Sequence, residues 1–144
     1  MSVTKEPDIF SQSVGEPQNG GRRLKVLLVE DYATLRNAIV KVLESIHLEV
    51  VEAKNGIEAL QVLDNQSVDM VFTDLVMPEM DGFELCEEIR RRPAFRKLPI
   101  VVVSTHRDAI YVIQALRCGA DDYLNKPFSA SLAQRVIERT MSHA

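Results

Sequence analysis

Short apolar runs, several of them rich in β-branched residues, alternate five times with helical apolar stripes along this chain. That alternation restricts its fold more than any other feature. Leu24-Lys25-Val26-Leu27-Leu28-Val29 is nearly continuous in apolar residues, as expected of a strand buried on both faces. It stops at Glu30-Asp31. Leu35, Ala38, Ile39, Val42, Leu43 and Ile46 then recur at helical spacing and form one apolar stripe. Glu49 to Ala53 alternates and is short, which reads as an edge strand with one wet face. Asn55, with Glu58 in capping-box spacing, opens a second helix whose Leu60 and Leu63 face the core. Asp69 to Thr73 is the third strand, and Asp81 with Glu84 repeats the capping pattern.

Pro93 ends that third helix, after Arg90-Arg91-Arg92. The arginine run reads as a complement to the helix dipole and a solvated face. Pro99 to Ser104 is the fourth strand, β-branched and buried. Asp108 to Cys118 is helical and closed by Gly119, a left-handed cap. Tyr123-Leu124 marks a short fifth strand. Ser129 caps a last helix with Leu132, Ala133, Val136, Ile137 and Thr140 on its inner face. Such an alternation builds a parallel sheet with helices on both faces, because right-handed crossovers place them there.

The 144 residues suffice for one core and one domain. Residues 1–23 differ in composition, with Pro7, Gly15, Pro17, Gly20 and Gly21 among Ser, Gln and Glu. They carry too little apolar surface to offset ordering entropy and read as a flexible tail, which leaves 24–144 as the domain. A net charge of −4 gives no basic face for nucleic acid. No apolar run reaches membrane-spanning length, and no basic-then-apolar leader opens the chain. Cys86 and Cys118 lack metal-ligand spacing and read as reduced, buried thiols of a cytoplasmic protein.

In parallel sheets ligands collect outside the carboxyl ends of the strands. Those ends carry Glu30-Asp31 after the first strand, Asp74 after the third, Ser104-Thr105 after the fourth and Lys126 after the fifth. Asp74 alone is a strand-end carboxylate, where Asp is common. Gathered on one edge, the set has a coherent chemistry. Neighbouring carboxylates repel one another unless a cation is present. Hard oxygen donors with room for water suit Mg²⁺. Asp carboxylates serve as nucleophiles in aspartyl-phosphate chemistry. A transferring phosphoryl group needs positive charge and donors on its equatorial oxygens, which Lys126 and Ser104 would supply.

Glu30-Asp31, Asp74 followed by Met77-Pro78 and Asp81-Gly82, Ser104, and Lys126-Pro127-Phe128, in this order along a β-α repeat, resemble the receiver domain of two-component response regulators, in particular the chemotaxis regulators. The resemblance covers residues 24–142. It implies a flavodoxin-like (βα)5 fold, doubly wound, with five parallel strands in the order 2-1-3-4-5. It also implies phosphorylation of Asp74 by a phosphohistidine on a sensor histidine kinase or a histidine phosphotransfer protein. Asp31 and Asp74 would be direct Mg²⁺ ligands with the Val76 carbonyl, and Glu30 would act through water. Ser104 and Lys126 would hold the phosphoryl oxygens, and Lys126-Pro127 is expected to be cis.

On the same resemblance Tyr123 is the aromatic switch, turning inward as Ser104 moves toward the phosphate. Thr105 departs from the small residue the family usually has there, and its bulk would narrow donor access or the path of Tyr123. Val76 and His106 occupy positions that modulate loss of the phosphate to water. Val76 cannot orient a water, so slow self-dephosphorylation is expected; an exposed loop setting is expected for His106. Ala109, Ile110, Tyr111, Val112, Ile113 and Leu116 exceed one buried stripe. The resemblance implies an output surface made of the helix 108–118, the fifth strand and the last helix, and the surplus apolar residues fit a contact there with a downstream target or in a homodimer.

Rival readings fail on particular residues. A haloacid-dehalogenase-type phosphatase needs a second Asp where Val76 stands, so the chain reads as a phosphoacceptor rather than a turnover enzyme. A flavodoxin-type binder needs a Ser/Thr/Gly-rich phosphate loop where Glu30-Asp31 stand. A receiver-like scaffold that works without phosphorylation remains as the alternative, opposed by the intact acids and lysine. No output domain follows His143-Ala144, which fits a stand-alone regulator, a relay intermediate or a receiver from a longer protein.

Overall fold

The apolar runs pair into a single five-stranded parallel sheet in the order β2-β1-β3-β4-β5. The computed structural model describes residues 23–142, so the expected tail, apart from Arg23, lies outside the described residues. The strands are β1 (Lys25–Val29), β2 (Glu49–Ala53), β3 (Met70–Thr73), β4 (Ile100–Ser104) and β5 (Asp122–Asn125). Between and after them run α1 (Ala33–Glu44), α2 (Gly56–Asn65), α3 (Gly82–Arg91), α4 (Ala109–Arg117) and α5 (Ala130–Ser142). A 3-10 turn at Pro93–Phe95 follows α3.

Period-2 alternation divides the core between the two faces of the sheet. Val26 and Leu28 join Ile39, Leu43, Phe72, Val136 and Ile137 on the side of α1 and α5. Leu27 and Val29 join Val71, Leu85, Ile89 and Ala115 on the side of α2, α3 and α4. Phe72 is fully buried. Burying such side chains stabilises the fold by roughly 2 kcal/mol each.

The register sets the functional edge. Val29 pairs with both Ala53 and Thr73, so Glu30 and Asp74 emerge side by side. Ser104 pairs with Asn125, which brings Lys126 out next.

Several local expectations change. Asn55 caps α2 through the Glu58 N–H, but the Glu58 carboxylate accepts from Lys54 N–H, one residue before the cap. Asp81 and Glu84 form the full reciprocal box. Ala38 is exposed, and Leu132 is 40% exposed at the edge of the α5 stripe. Cys86 is buried, whereas Cys118 is only partly so, its thiol lying against Glu87.

Arg90 is the larger correction to the solvated-face reading. Its guanidinium donates to the carbonyls of Gly119, Phe95 and Leu98 and to Asp121, tying α3 to the loops flanking β4 and α4. Arg91 and Arg92 pair with Glu88 and Asp64 at the surface, as charges on a wet face do. Among the described residues no helix is long and apolar enough to cross a membrane.

Candidate functional site

Asp74 leaves β3 with its N–H bonded to the Val29 carbonyl, continuing the ladder by one residue. Its Oδ1 accepts from the Leu75 N–H at 2.8 Å and faces Lys126 Nζ at 3.4 Å. The turn beyond it is held from behind by Gly82, whose N–H donates to the Leu75 carbonyl. A Cβ at Gly82 would stand 2.3 Å from the Asp74 carbonyl oxygen and 2.8 Å from Leu75 Cα. Only a residue without a side chain lets the first turn of α3 approach so closely.

Lys126 Nζ donates to Glu30 Oε1 at 3.0 Å, and both side chains are buried. Glu30 Oε2 accepts from the Tyr32 N–H. Burial pushes the Glu30 carboxyl above its ordinary range, opposed by the hydrogen bond from Lys126 and reinforced by the nearby Asp74 charge. Asp31 is exposed. Among the described residues its carboxylate has no hydrogen-bond or ion-pair partner. One carboxylate oxygen from each of Glu30, Asp31 and Asp74 lies within 4.8 Å of the others.

Three carboxyl groups gather here against one lysine. A hard divalent cation with oxygen ligands and retained waters matches that donor set.

The other predicted residues form a second group at the ends of β4 and β5. Ser104 is buried, and its Oγ accepts from the His106 N–H at 3.0 Å. Tyr123, half-buried, donates its hydroxyl to the His106 carbonyl at 2.9 Å. Asn125 Nδ2 reaches the same carbonyl at 2.9 Å and the Ser104 carbonyl at 3.3 Å. Thr105 is exposed, and Val76 is 64% exposed on the turn after Asp74. Lys126-Pro127 is cis.

His106 does not fit the exposed-loop expectation. It is half-buried, and its ring stacks on Tyr111 with centroids 4.3 Å apart and planes 20° from parallel. Asn125 carried no functional weight in the sequence, and Tyr111 figured only as one of the surplus apolar residues of its helix. The adjacency of Asn125 to Lys126 was the one available signal.

A five-stranded parallel sheet in the order 2-1-3-4-5 with helices on both faces is a flavodoxin-like α/β fold, here with three carboxylates and a lysine at its carboxyl edge. The response regulator receiver domain family matches residues 26–138, and the chain belongs to it. It is similar to a chemotaxis protein CheY homolog of Campylobacter jejuni, at 36% identity over 80% of this chain and 90% of that one. Chemotaxis protein CheY1 of Helicobacter pylori is 35% identical over 80% of this chain and 94% of its own. Among solved structures, the receiver domain of a sensor histidine kinase from Pseudomonas aeruginosa, with a magnesium ion in its active-site cleft, superposes with a TM-score of 0.76. It is 29% identical, over 83% of this chain and 98% of that chain.

Proposed function

We propose that Asp74 accepts a phosphoryl group from a phosphohistidine of a sensor histidine kinase or a histidine phosphotransfer protein. The observation that carries this reading is the placement of Lys126 Nζ 3.0 Å from Glu30 and 3.4 Å from Asp74 at one strand edge. Asp74 Oδ1 is held by the Leu75 N–H and by Lys126, which leaves Oδ2 to attack phosphorus. The new P–O bond forms as the P–N bond breaks, and the departing imidazole keeps the electron pair and takes up a proton. Lys126 then faces the added negative charge, and the Ser104 hydroxyl at the end of β4 would donate to a phosphoryl oxygen.

Asp31, Asp74 and the Val76 carbonyl would hold Mg²⁺ directly, with Glu30 acting through water. When bound, the metal neutralises the acids and the incoming phosphoryl oxygens. Tyr123 and Ser104 would respond to the phosphate as a switch pair, and Thr105, Val76 and His106 would tune its arrival and loss. Residues 24–144 would act as the receiver, with 1–23 as an appendage.

Ile110, Ile113 and Leu116 of α4 and Leu132 of α5 are exposed, and Leu116 also lines a groove of about 530 Å³ with Val112, Tyr123, Asp121, Asp122 and Arg139. This favours a target or a second copy binding at the α4-β5-α5 face.

The test is incubation with Mg²⁺ and a small phosphodonor such as acetyl phosphate, followed by intact mass measurement. One phosphoryl group adds to wild type and none to Asp74→Ala. Addition that survives Asp74→Ala overturns the assignment, and no addition to wild type favours the phosphorylation-independent scaffold.

A further inference from the structure

We propose that Tyr111 is a positioning residue for the phosphoacceptor site, and that the His106–Tyr111 stack couples α4 to Ser104 and Tyr123. The inference rests on the proposed phosphoacceptor role and extends it to how the site and α4 communicate.

The loop between β4 and α4 has its backbone committed at His106. The His106 N–H goes to Ser104 Oγ, and its carbonyl takes both the Tyr123 hydroxyl and the Asn125 amide. Where His106 sits therefore decides whether Tyr123 has its acceptor and where the Ser104 hydroxyl points.

α4 meets the core through Ala115 and the partly buried Tyr111. Its N-cap Asp108 makes no side-chain capping bond, and Ala115 is its one fully buried residue. Ile110, Ile113 and Leu116 face outward. Beside those core contacts, the stack on Tyr111 is a specific side-chain link from the first turn of α4 to the His106 loop. Stacked ring pairs attract beyond the effect of the area they bury.

The consequence is a two-way coupling. A movement of α4 drags the Tyr111 ring, the ring carries His106, and the His106 carbonyl releases or holds the Tyr123 hydroxyl. Conversely, a phosphoryl group that draws Ser104 toward it disturbs the His106 N–H and is felt at α4. Such coupling is bistable, because Tyr123 either has its carbonyl partner or seeks water.

Three variants separate stacking from ordinary packing. Tyr111→Phe keeps the ring, Tyr111→Leu keeps apolar bulk without it, and His106→Ala removes the opposite ring while leaving the backbone bonds available. Protein labelled with 3-fluorotyrosine reports Tyr123 by fluorine NMR, its line identified by its loss in Tyr123→Phe. The Tyr123 line is expected unchanged in Tyr111→Phe and shifted or broadened in Tyr111→Leu and His106→Ala. Phosphorylation by acetyl phosphate with Mg²⁺ should slow by roughly threefold in the latter two and recover in Tyr111→Phe.

A Tyr123 line and a phosphorylation rate matching wild type in both Tyr111→Leu and His106→Ala would overturn the proposal. So would a Tyr111→Phe variant as impaired as Tyr111→Leu. The NMR arm needs no phosphate, so it still decides the coupling if wild type takes up none.

Discussion

Lys126 and Glu30 form a buried ion pair across 96 positions of sequence, with side-chain exposures of 6% and 3%. Removing one partner of such a pair leaves a desolvated charge behind, which costs more than the pair itself contributes. Lys126→Met is therefore expected to lose about 3 kcal/mol at pH 7. The deficit should depend on pH in a defined direction. Burial raises the Glu30 carboxyl above its ordinary value of 4.5, and Lys126 opposes that rise. A raised acid binds protons more tightly folded than unfolded, so its contribution is complete below pH 4.5 and is lost as pH rises through the folded value. Without Lys126 the folded value moves further up and the loss grows. Urea titrations from pH 4.5 to 8 should show the variant's deficit widening with pH, and a constant deficit would contradict the pairing.

Asp31 contributes charge to the acidic cluster with no described protein partner to offset it. Asp31→Asn should raise the stability of metal-free protein by about 1 kcal/mol by relieving repulsion at this range. Wild type should gain about 1.4 kcal/mol from Mg²⁺ at ten times its Kd, and the variant should lose most of that gain. Thermal melts with and without Mg²⁺ read both effects. A variant stabilised by Mg²⁺ as much as wild type would remove Asp31 from the proposed ligand set.

Gly82→Ala forces a Cβ into the Asp74 carbonyl, and the atom it meets is backbone. The strain should cost roughly 1–3 kcal/mol, because the turn and α3 must separate. Displacing Asp74 by a fraction of an ångström or more should slow phosphorylation by up to roughly a hundredfold with the nucleophile still present. Mass spectrometry of the acetyl phosphate reaction checks this, and a wild-type rate would mean the contact does not position Asp74.

Arg90 serves four acceptors from one planar group, including the carbonyl of Gly119, whose φ is 113°. A lysine cannot reproduce that fork. Arg90→Lys and Arg90→Ala should each lose about 2 kcal/mol through unsatisfied carbonyls. Urea midpoints measure it. Full retention of stability by Arg90→Lys would show that charge, rather than geometry, is what α3 requires.

Val76 places an apolar, 64% exposed side chain on the turn after Asp74. An amide there can orient an attacking water where an isopropyl group cannot. Val76→Asn is expected to shorten the aspartyl-phosphate lifetime by roughly threefold or more, since positioning a water recovers part of its entropic cost. Decay followed by intact mass after removal of the donor gives the lifetime. An unchanged lifetime would place the water's access elsewhere.

Much of this fold is written locally. The β-branched run 100–104, the caps at Asn55, Asp81 and Ser129 and the stop at Gly119 act within a few residues, so their physics is present in the sequence itself. The alternation of strand and helix then leads to the parallel sheet, and the parallel sheet gathers Glu30, Asp31, Asp74 and Lys126 at one edge. Other features wait on the packing of elements distant in sequence. Helical spacing assigned Leu132 to the inner face, yet it lies 40% exposed at the stripe's edge, because the width of a buried stripe is set by what packs against it. Arg90 looked like one of three solvated cations until the loops around β4 presented it with carbonyls. His106 looked like an exposed loop residue until α4 brought Tyr111 over its ring. The sequence alone determined the strands and helices and the sheet edge at which Glu30, Asp31, Asp74 and Lys126 gather. Tertiary structure alone decided which of those residues touch, because a contact requires two separately folded surfaces to meet at a particular angle and register.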